Sequence, residues 1–334
     1  MTDIYWPPDV VTEVCLEAMA TGCVQGIPLE AGPEDLPERL GAPDPDGHGR
    51  LFEQRYWNAG HSMTRDWNLL RAFYYRDDLR DPWSCHEIVI EPPRLDDYPP
   101  KWSTLAAELR RHGYRYSTED DLDFDLHTVT ASWVRVRVAG KHQHRPRPGR
   151  LFHIEIRSML MNPIPKRLWG PLRNEMRALG KADTRTWRTW QARHATTTTE
   201  FEAVFEALFI LYGGEPARDE EWTALSLWFL DQARAVFRPE DWTYHWAKFQ
   251  RRWPALISPA EVTRTCLAAL PMTLAEACAL PTTWRDVSPD DARRARMTRA
   301  LLAFAAAAAP DELEAAELSR WRDDLRWLAA VNSC

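Results

Sequence analysis

The chain has 334 residues, 45% of them hydrophobic, with seventeen Trp and a formal net charge of −7. That length allows two domains with cores of their own, and the apolar and aromatic content excludes disorder over most of it. The longest apolar run, 300–309, is ten residues between Arg299 and Pro310, which suits a buried helix and is too short for a membrane span.

The charge is unevenly distributed. Residues 1–134 hold 12 Lys and Arg against 25 Asp and Glu, residues 135–193 hold 15 against 3, and the remainder holds 15 against 21. An acidic chain thus carries a concentrated basic belt, which needs a physical explanation. The first residues lack a basic stretch followed by an apolar one, so a secretion signal is not expected and a cytosolic location is. Six Cys are scattered with no Cys-x-x-Cys pair, as expected of reduced thiols.

In chain order, Val10, Val11, Val14, Cys15, Ala18 and Met19 recur at helical spacing and Gly22 is a stop signal. A short apolar piece, 26–29, follows. Residues 32–41 read as a helix with acidic residues in its first turn and a terminal glycine; Pro37 limits it to a short one. Strands are expected at Trp67–Tyr75 and Cys85–Glu91, joined by a turn at 77–82 into a hairpin. Trp102–His112 forms an amphipathic helix ended by Gly113. The acidic run Glu119, Asp120, Asp121, Asp123 and Asp125 is expected in a loop.

The cleanest period in the chain is Ser132–Arg157. Val134, Val136 and Val138 alternate with Trp133, Arg135 and Arg137; Phe152, Ile154 and Ile156 alternate with His153, Glu155 and Arg157. Period two on both arms predicts an antiparallel hairpin with one face on a core and Trp133, Arg135, Arg137, His153 and Arg157 facing outward. From Pro163 onward the spacing is helical throughout, with a capping region at 196–199. The fold class expected is α+β: a mixed antiparallel-sheet domain over 1–160 and an all-helical domain over 161–334.

Chemistry is harder to locate. The acidic run fails the calcium-loop pattern, lacking Gly at the sixth position and Glu at the twelfth, so Asp120, Asp121, Asp123 and Asp125 are solvated charge or an acidic docking surface. His142 and His144 have ligand-like spacing with no carboxylate nearby, and no metal is expected. There is no nucleophile motif and no glycine-rich phosphate loop, so neither catalytic residues nor a cofactor are expected, although a dispersed site leaves no linear motif. In the belt, Arg145, Arg147, Arg173, Arg177, Arg185 and Arg188 alternate with Trp169, Trp187 and Trp190. Cations beside aromatic faces suit single-stranded nucleic acid. They equally suit a basic face set against an acidic protein surface, whether the first 134 residues or a partner.

Several short motifs run in a fixed order: Gly26-Ile-Pro-Leu29, a Pro33-Glu-Asp-Leu36 helix reaching Leu40-Gly41, Arg65-Asp-Trp-Asn-Leu69, Trp83 to Ile90 reaching Pro93-Arg-Leu95, the 102–113 helix, and the Val134 and Phe152 strands. In that order, residues 24–158 resemble a group of actinobacterial proteins that look like immunity proteins of polymorphic toxin systems. The resemblance implies a protein that acts by binding a cognate toxin in the cytosol, with no catalytic residues to carry over. The helical half departs from the small single-domain members. The expected function is a non-enzymatic binding protein that neutralises or scaffolds a partner protein through Trp133, Arg135, Arg137, His153, Arg157 and the acidic run. The alternative is nucleic-acid binding through the belt.

Overall fold

A computed structural model describes residues 7–29, 52–53, 61–67, 70–76, 84–92, 98–121, 123–143, 146–157, 166–180, 182–197, 200–201, 203–204, 207, 228, 231–232, 258–273, 276–277, 280 and 283–308. The chain is α+β and divides into two units. Met1–Met161, Pro271–Ala300 and Trp321–Cys334 make the first; Asn162–Leu270 and Leu301–Arg320 make the second.

The first unit opens with helix α1 (Pro8–Thr21), whose Val11, Val14, Cys15, Ala18 and Met19 are buried at the expected spacing. Gly22, at φ 72°, ends it and donates its N–H to the Ala18 carbonyl at 2.9 Å. Strands β1 (Cys23–Val24) and β2 (Ile27–Pro28) form a two-residue hairpin. Gln25 and Gly26 both have positive φ, 51° and 77°, as a turn matching strand twist requires. The Glu17 carboxylate accepts both of their N–H groups at 2.8 and 2.6 Å, tying the turn to α1.

The main sheet has strands β3 (Phe52–Glu53), β4 (His61–Trp67), β5 (Leu70–Arg76), β6 (Ser84–Ile90), β7 (Tyr116–Asp121), β8 (Phe124–Val129), β9 (Arg135–Ala139) and β10 (Leu151–Arg157). Their spatial order is β3-β4-β5-β6-β10-β9-β8-β7, antiparallel throughout. Helix α2 (Trp102–Arg111) connects β6 to the far edge at β7, and the chain then returns strand by strand until β10 pairs with β6.

The hairpin expected at Ser132–Arg157 is β9–β10, with Arg137 opposite His153, Val136 opposite Ile154 and Arg135 opposite Glu155; a bulge takes up Phe152. The hairpin expected from 67–75 and 85–91 is β5–β6. Three strands differ from expectation. β4 ends at Trp67 and pairs back on β5, whereas the sequence reading ran 67–75 as one strand. The acidic run expected in a loop lies in the β7–β8 hairpin, because pairing with β9 overrides the poor strand preference of Asp.

Val134, Val136, Val138, Ile154, Ile156, Ile88, Ile90, Leu70 and Ala72 are all buried and share one core with Leu105 and Leu109 of α2 and the buried side of α1. Full burial of each larger side chain stabilises by about 1.5–3 kcal/mol. Trp284, Val287 and Ala292 belong to this same core. Trp284 begins a 3₁₀ turn, Trp284–Asp286, and is followed by helix Pro289–Ala308. Arg285 grips the Glu13 carboxylate at 2.7 and 2.5 Å, Trp284 Nε1 donates to it at 3.3 Å, and the Tyr114 hydroxyl donates to the Val287 carbonyl at 2.9 Å. Arg296 and Arg299 reach the carbonyls of Arg157 and Thr21, the latter at the C-terminus of α1 where a cation suits the helix dipole. Sequence periodicity places 271–300 with the following helices; the apolar partners of Trp284 place them with the sheet.

In the second unit, helices α3 (Lys166–Leu179), α4 (Thr184–His194) and α5 (Pro259–Ala268) are described. Asp183 caps α4 by accepting the Thr186 N–H at 2.8 Å. At 196–200, Thr197 and Glu200 exchange side-chain-to-backbone hydrogen bonds in a capping box, where the sequence expected a helix start. The helix expected at 32–41 lies outside the described residues, as do 233–257 and 309–334 of the helical stretch expected from Pro163 onward.

Candidate functional site

The sheet has two chemically distinct faces. Opposite the valines, strand alternation gathers Arg135, Glu155 and Val89 in one row, Leu126, Arg137 and His153 in the next, and Arg157 with Glu87 in a third. Glu155 is the hub, only 4% exposed. His153 Nε2 lies 2.8 Å from its Oε1, Arg157 Nη2 3.1 Å from Oε2, Arg135 Nη1 3.5 Å from Oε2 and Arg137 Nε 3.5 Å from Oε1. Arg157 also donates through Nε to Glu87 at 2.8 Å.

Burial by itself raises the Glu155 carboxyl, but the hydrogen bond from His153 and the charges of Arg157 and Arg135 outweigh it and bring the carboxyl down to about 2. The carboxylate is therefore ionised at neutral pH and only accepts, so His153 donates through Nε2. The other ring nitrogen, Nδ1, is buried with no hydrogen-bond partner among the described residues. Held at so low a pKa, Glu155 is a poor proton acceptor. It serves instead as the shared ion-pair partner of three guanidinium groups.

The structure brings Arg135, Arg137, His153 and Arg157 together, as the alternation implied, but not on an exposed face. His153 is 8% exposed as a residue, and the three arginine side chains are 20, 29 and 28% exposed. Guanidinium groups drawn onto a buried carboxylate lie along the sheet instead of extending into water. Trp133 does not share the arrangement. It sits in the turn before β9 at φ 56°, a left-handed conformation that breaks strand alternation, and donates its N–H to the Val129 carbonyl at 2.7 Å. The role of Glu155 was hidden from the sequence because it depends on cross-strand register.

The acidic residues occupy the far edge. Asp120 and Asp121 lie in β7, Asp125 opposite Val138 in β8, and Asp123 is exposed between the two strands. The Asp123 carbonyl accepts the Gly140 N–H at 3.0 Å, and a Cβ on Gly140 would stand 2.6 Å from that oxygen, so only glycine fits there. Among the described residues no three His, Cys, Asp or Glu side chains gather as a metal site.

The basic belt divides. Arg145 lies outside the described residues, and Arg147 is exposed in the β9–β10 loop. In the second unit Arg173 stacks over Trp169 at 5.6 Å and Arg177 is exposed. On α4, Arg185, Arg188 and Arg193 are exposed, whereas Trp187 and Trp190 are buried at 2 and 7% exposure and meet edge to face. Trp190 donates to Glu175 at 3.0 Å, and His194 pairs with the same carboxylate. Hollows of about 430 and 280 Å³ flank α4, the first lined by Arg188, Gln191 and Trp228, the second by Arg185, Thr189 and Arg193. The tryptophans expected as stacking faces for bases are spent on the helix core at positions 187 and 190.

Among the described residues no helix is long and apolar enough to cross a membrane. No family model matches the chain, and neither a curated protein nor a solved structure matches it.

Proposed function

We propose that this chain is a cytosolic, non-enzymatic binding protein that neutralises or scaffolds a partner protein, with the arginine face of the sheet as its principal contact. The observation that carries the reading is the hub at Glu155. One buried carboxylate holds Arg135, Arg137 and Arg157 in place together with His153, and each arginine keeps a fifth or more of its side chain exposed. Guanidinium groups immobilised before binding lose little further entropy on docking, which is what an interface anchor needs. An immunity-type role against a toxin is the specific form of this reading, supported by the motif order over 24–158. In it the sheet-bearing first unit makes the contact and the second unit supplies a helical domain.

The test is capture from nuclease-treated native lysate on immobilised protein, alongside Arg135→Gln/Arg137→Gln with its fold checked by circular dichroism. One protein retained by the parent and lost by the folded double variant supports the reading. Equal retention by both excludes the arginine face.

A second reading, nucleic-acid binding, is favoured by Arg185, Arg188 and Arg193 standing exposed on the side of α4 away from its tryptophans. With Trp187 and Trp190 buried, such binding would rest on phosphate contacts, and its affinity would drop steeply with salt.

A further inference from the structure

At its far edge the sheet ends in β7, and among the described strands none lies beyond it. β7 pairs with β8 over six consecutive residues, Tyr116 to Asp121, without a bulge. The direction of each backbone group follows from that register. Thr130 N–H donates to the Arg115 carbonyl at 2.9 Å, so the hydrogen-bonded positions facing β8 are Arg115, Ser117, Glu119 and Asp121. Tyr116, Thr118 and Asp120 therefore turn their N–H and C=O groups outward. Proline, lysine and a bulge are missing from β7, and Ser117 and Thr118 are exposed, so the protection this edge carries is the charge of Glu119, Asp120 and Asp121, which repels an acidic or apolar strand and admits a basic one.

We infer that β7 accepts an extended, lysine- or arginine-bearing segment of a partner protein as an added antiparallel or parallel strand. The outward amides and carbonyls of Tyr116, Thr118 and Asp120 call for a backbone ligand, because only another strand matches donors and acceptors at that spacing. The charge selects its composition. Asp120 and Asp121 are on the edge strand itself, with Asp123 and Asp125 on the same hairpin; β7 carries no basic residue of its own, and the guanidinium of Arg110 lies over Tyr116 at the opposite end, so the acidic pole is the Asp120–Asp121 end. Gly140 holds the hairpin end to the β9–β10 loop through the Asp123 carbonyl, so the edge is presented on a fixed frame. This inference rests on the protein-binding reading above and specifies a second contact of opposite charge to the arginine face.

The test uses the full chain and a fluorescently labelled ten-residue peptide in which Lys alternates with Val and Thr, with binding read by anisotropy. Comparison peptides carry Gln for Lys, or N-methyl groups on alternate amides. The protein variants are Thr118→Pro, which blocks an outward N–H while leaving the β8 ladder intact, and Asp120→Lys/Asp121→Lys. The expected result is binding of the Lys peptide, with at least a tenfold rise in dissociation constant from each protein variant and from each peptide change. Equal binding of the N-methylated peptide overturns strand addition in favour of charge alone. Equal binding of the Gln peptide overturns the basic partner. Absence of binding by the parent shows that the carboxylates guard the edge, and concentration-dependent self-association abolished by Thr118→Pro shows that a second copy takes the place; either result overturns the inference. Failure here leaves the arginine-face reading standing, since that is read by capture with Arg135→Gln/Arg137→Gln.

Discussion

Two sets of arginines from the same basic belt have opposite environments. Arg135, Arg137 and Arg157 lie half-buried around the Glu155 carboxylate on the sheet, while Arg185, Arg188 and Arg193 stand exposed on α4 with their helix's tryptophans on the other side. Their density along the chain is similar. What separates them is whether a buried opposite charge lies within about 3.5 Å, because water screens an exposed charge and leaves it contributing little to stability. The sheet arginines are thus part of the fold's own charge network, whereas the α4 arginines, among the described residues, stay in water.

The largest expected effect is set by apolar burial. Trp284, at 4% exposure, joins the sheet core from far along the chain. Trp284→Ala is expected to cost about 4 kcal/mol in urea unfolding. A chain ending at residue 160 is expected to lose its cooperative transition; retention of one would show that residues 271–300 are dispensable to the sheet.

Next comes the hub. Glu155→Gln leaves three guanidinium groups around a neutral side chain and is expected to cost about 3 kcal/mol. A change under about 1 kcal/mol would make the two arginine sets equivalent and dissolve the distinction drawn between them.

The same group sets an acid dependence. Its folded-state carboxyl, at about 2, lies below the ordinary 4.5, so the stability it contributes is fully present above pH 4.5 and is lost as pH falls toward 2. The shift corresponds to roughly 3 kcal/mol. Unfolding free energies measured between pH 5 and 2 should show this decline in the parent, and Glu155→Gln should flatten that part of the curve.

Smaller effects belong to α4. Asp183→Ala removes the cap on Thr186 and is expected to cost about 1 kcal/mol. Arg188→Gln is expected to leave stability within about 0.5 kcal/mol of the parent. If polyanions bind α4, Arg185→Gln/Arg188→Gln should also reduce the salt dependence of oligonucleotide affinity, by a slope of about one per phosphate contact removed.

Much of this architecture is written in local pattern. The period-two alternation at 134–138 and 152–157 specifies two paired strands, because successive side chains on a strand must face opposite sides. Helix α1 with its Gly22 stop, α2 with Gly113, and the Thr197–Glu200 cap follow from helical spacing and from the few residues that satisfy helix ends. The same reading brought Arg135, Arg137, His153 and Arg157 to one face. Tertiary structure decided the rest. Register across β9, β10 and β6 placed Glu155 among three arginines and Glu87 beside Arg157. Sheet pairing made strands of the acidic 116–129 stretch against its own preference, and a left-handed turn removed Trp133 from the face its position implied. The apolar demand of the sheet core drew Trp284, Val287 and Ala292 into the first unit. Local spacing states which side chains share a face, whereas which faces meet, and which charges are buried between them, is settled only when segments distant in sequence compete for the same partners.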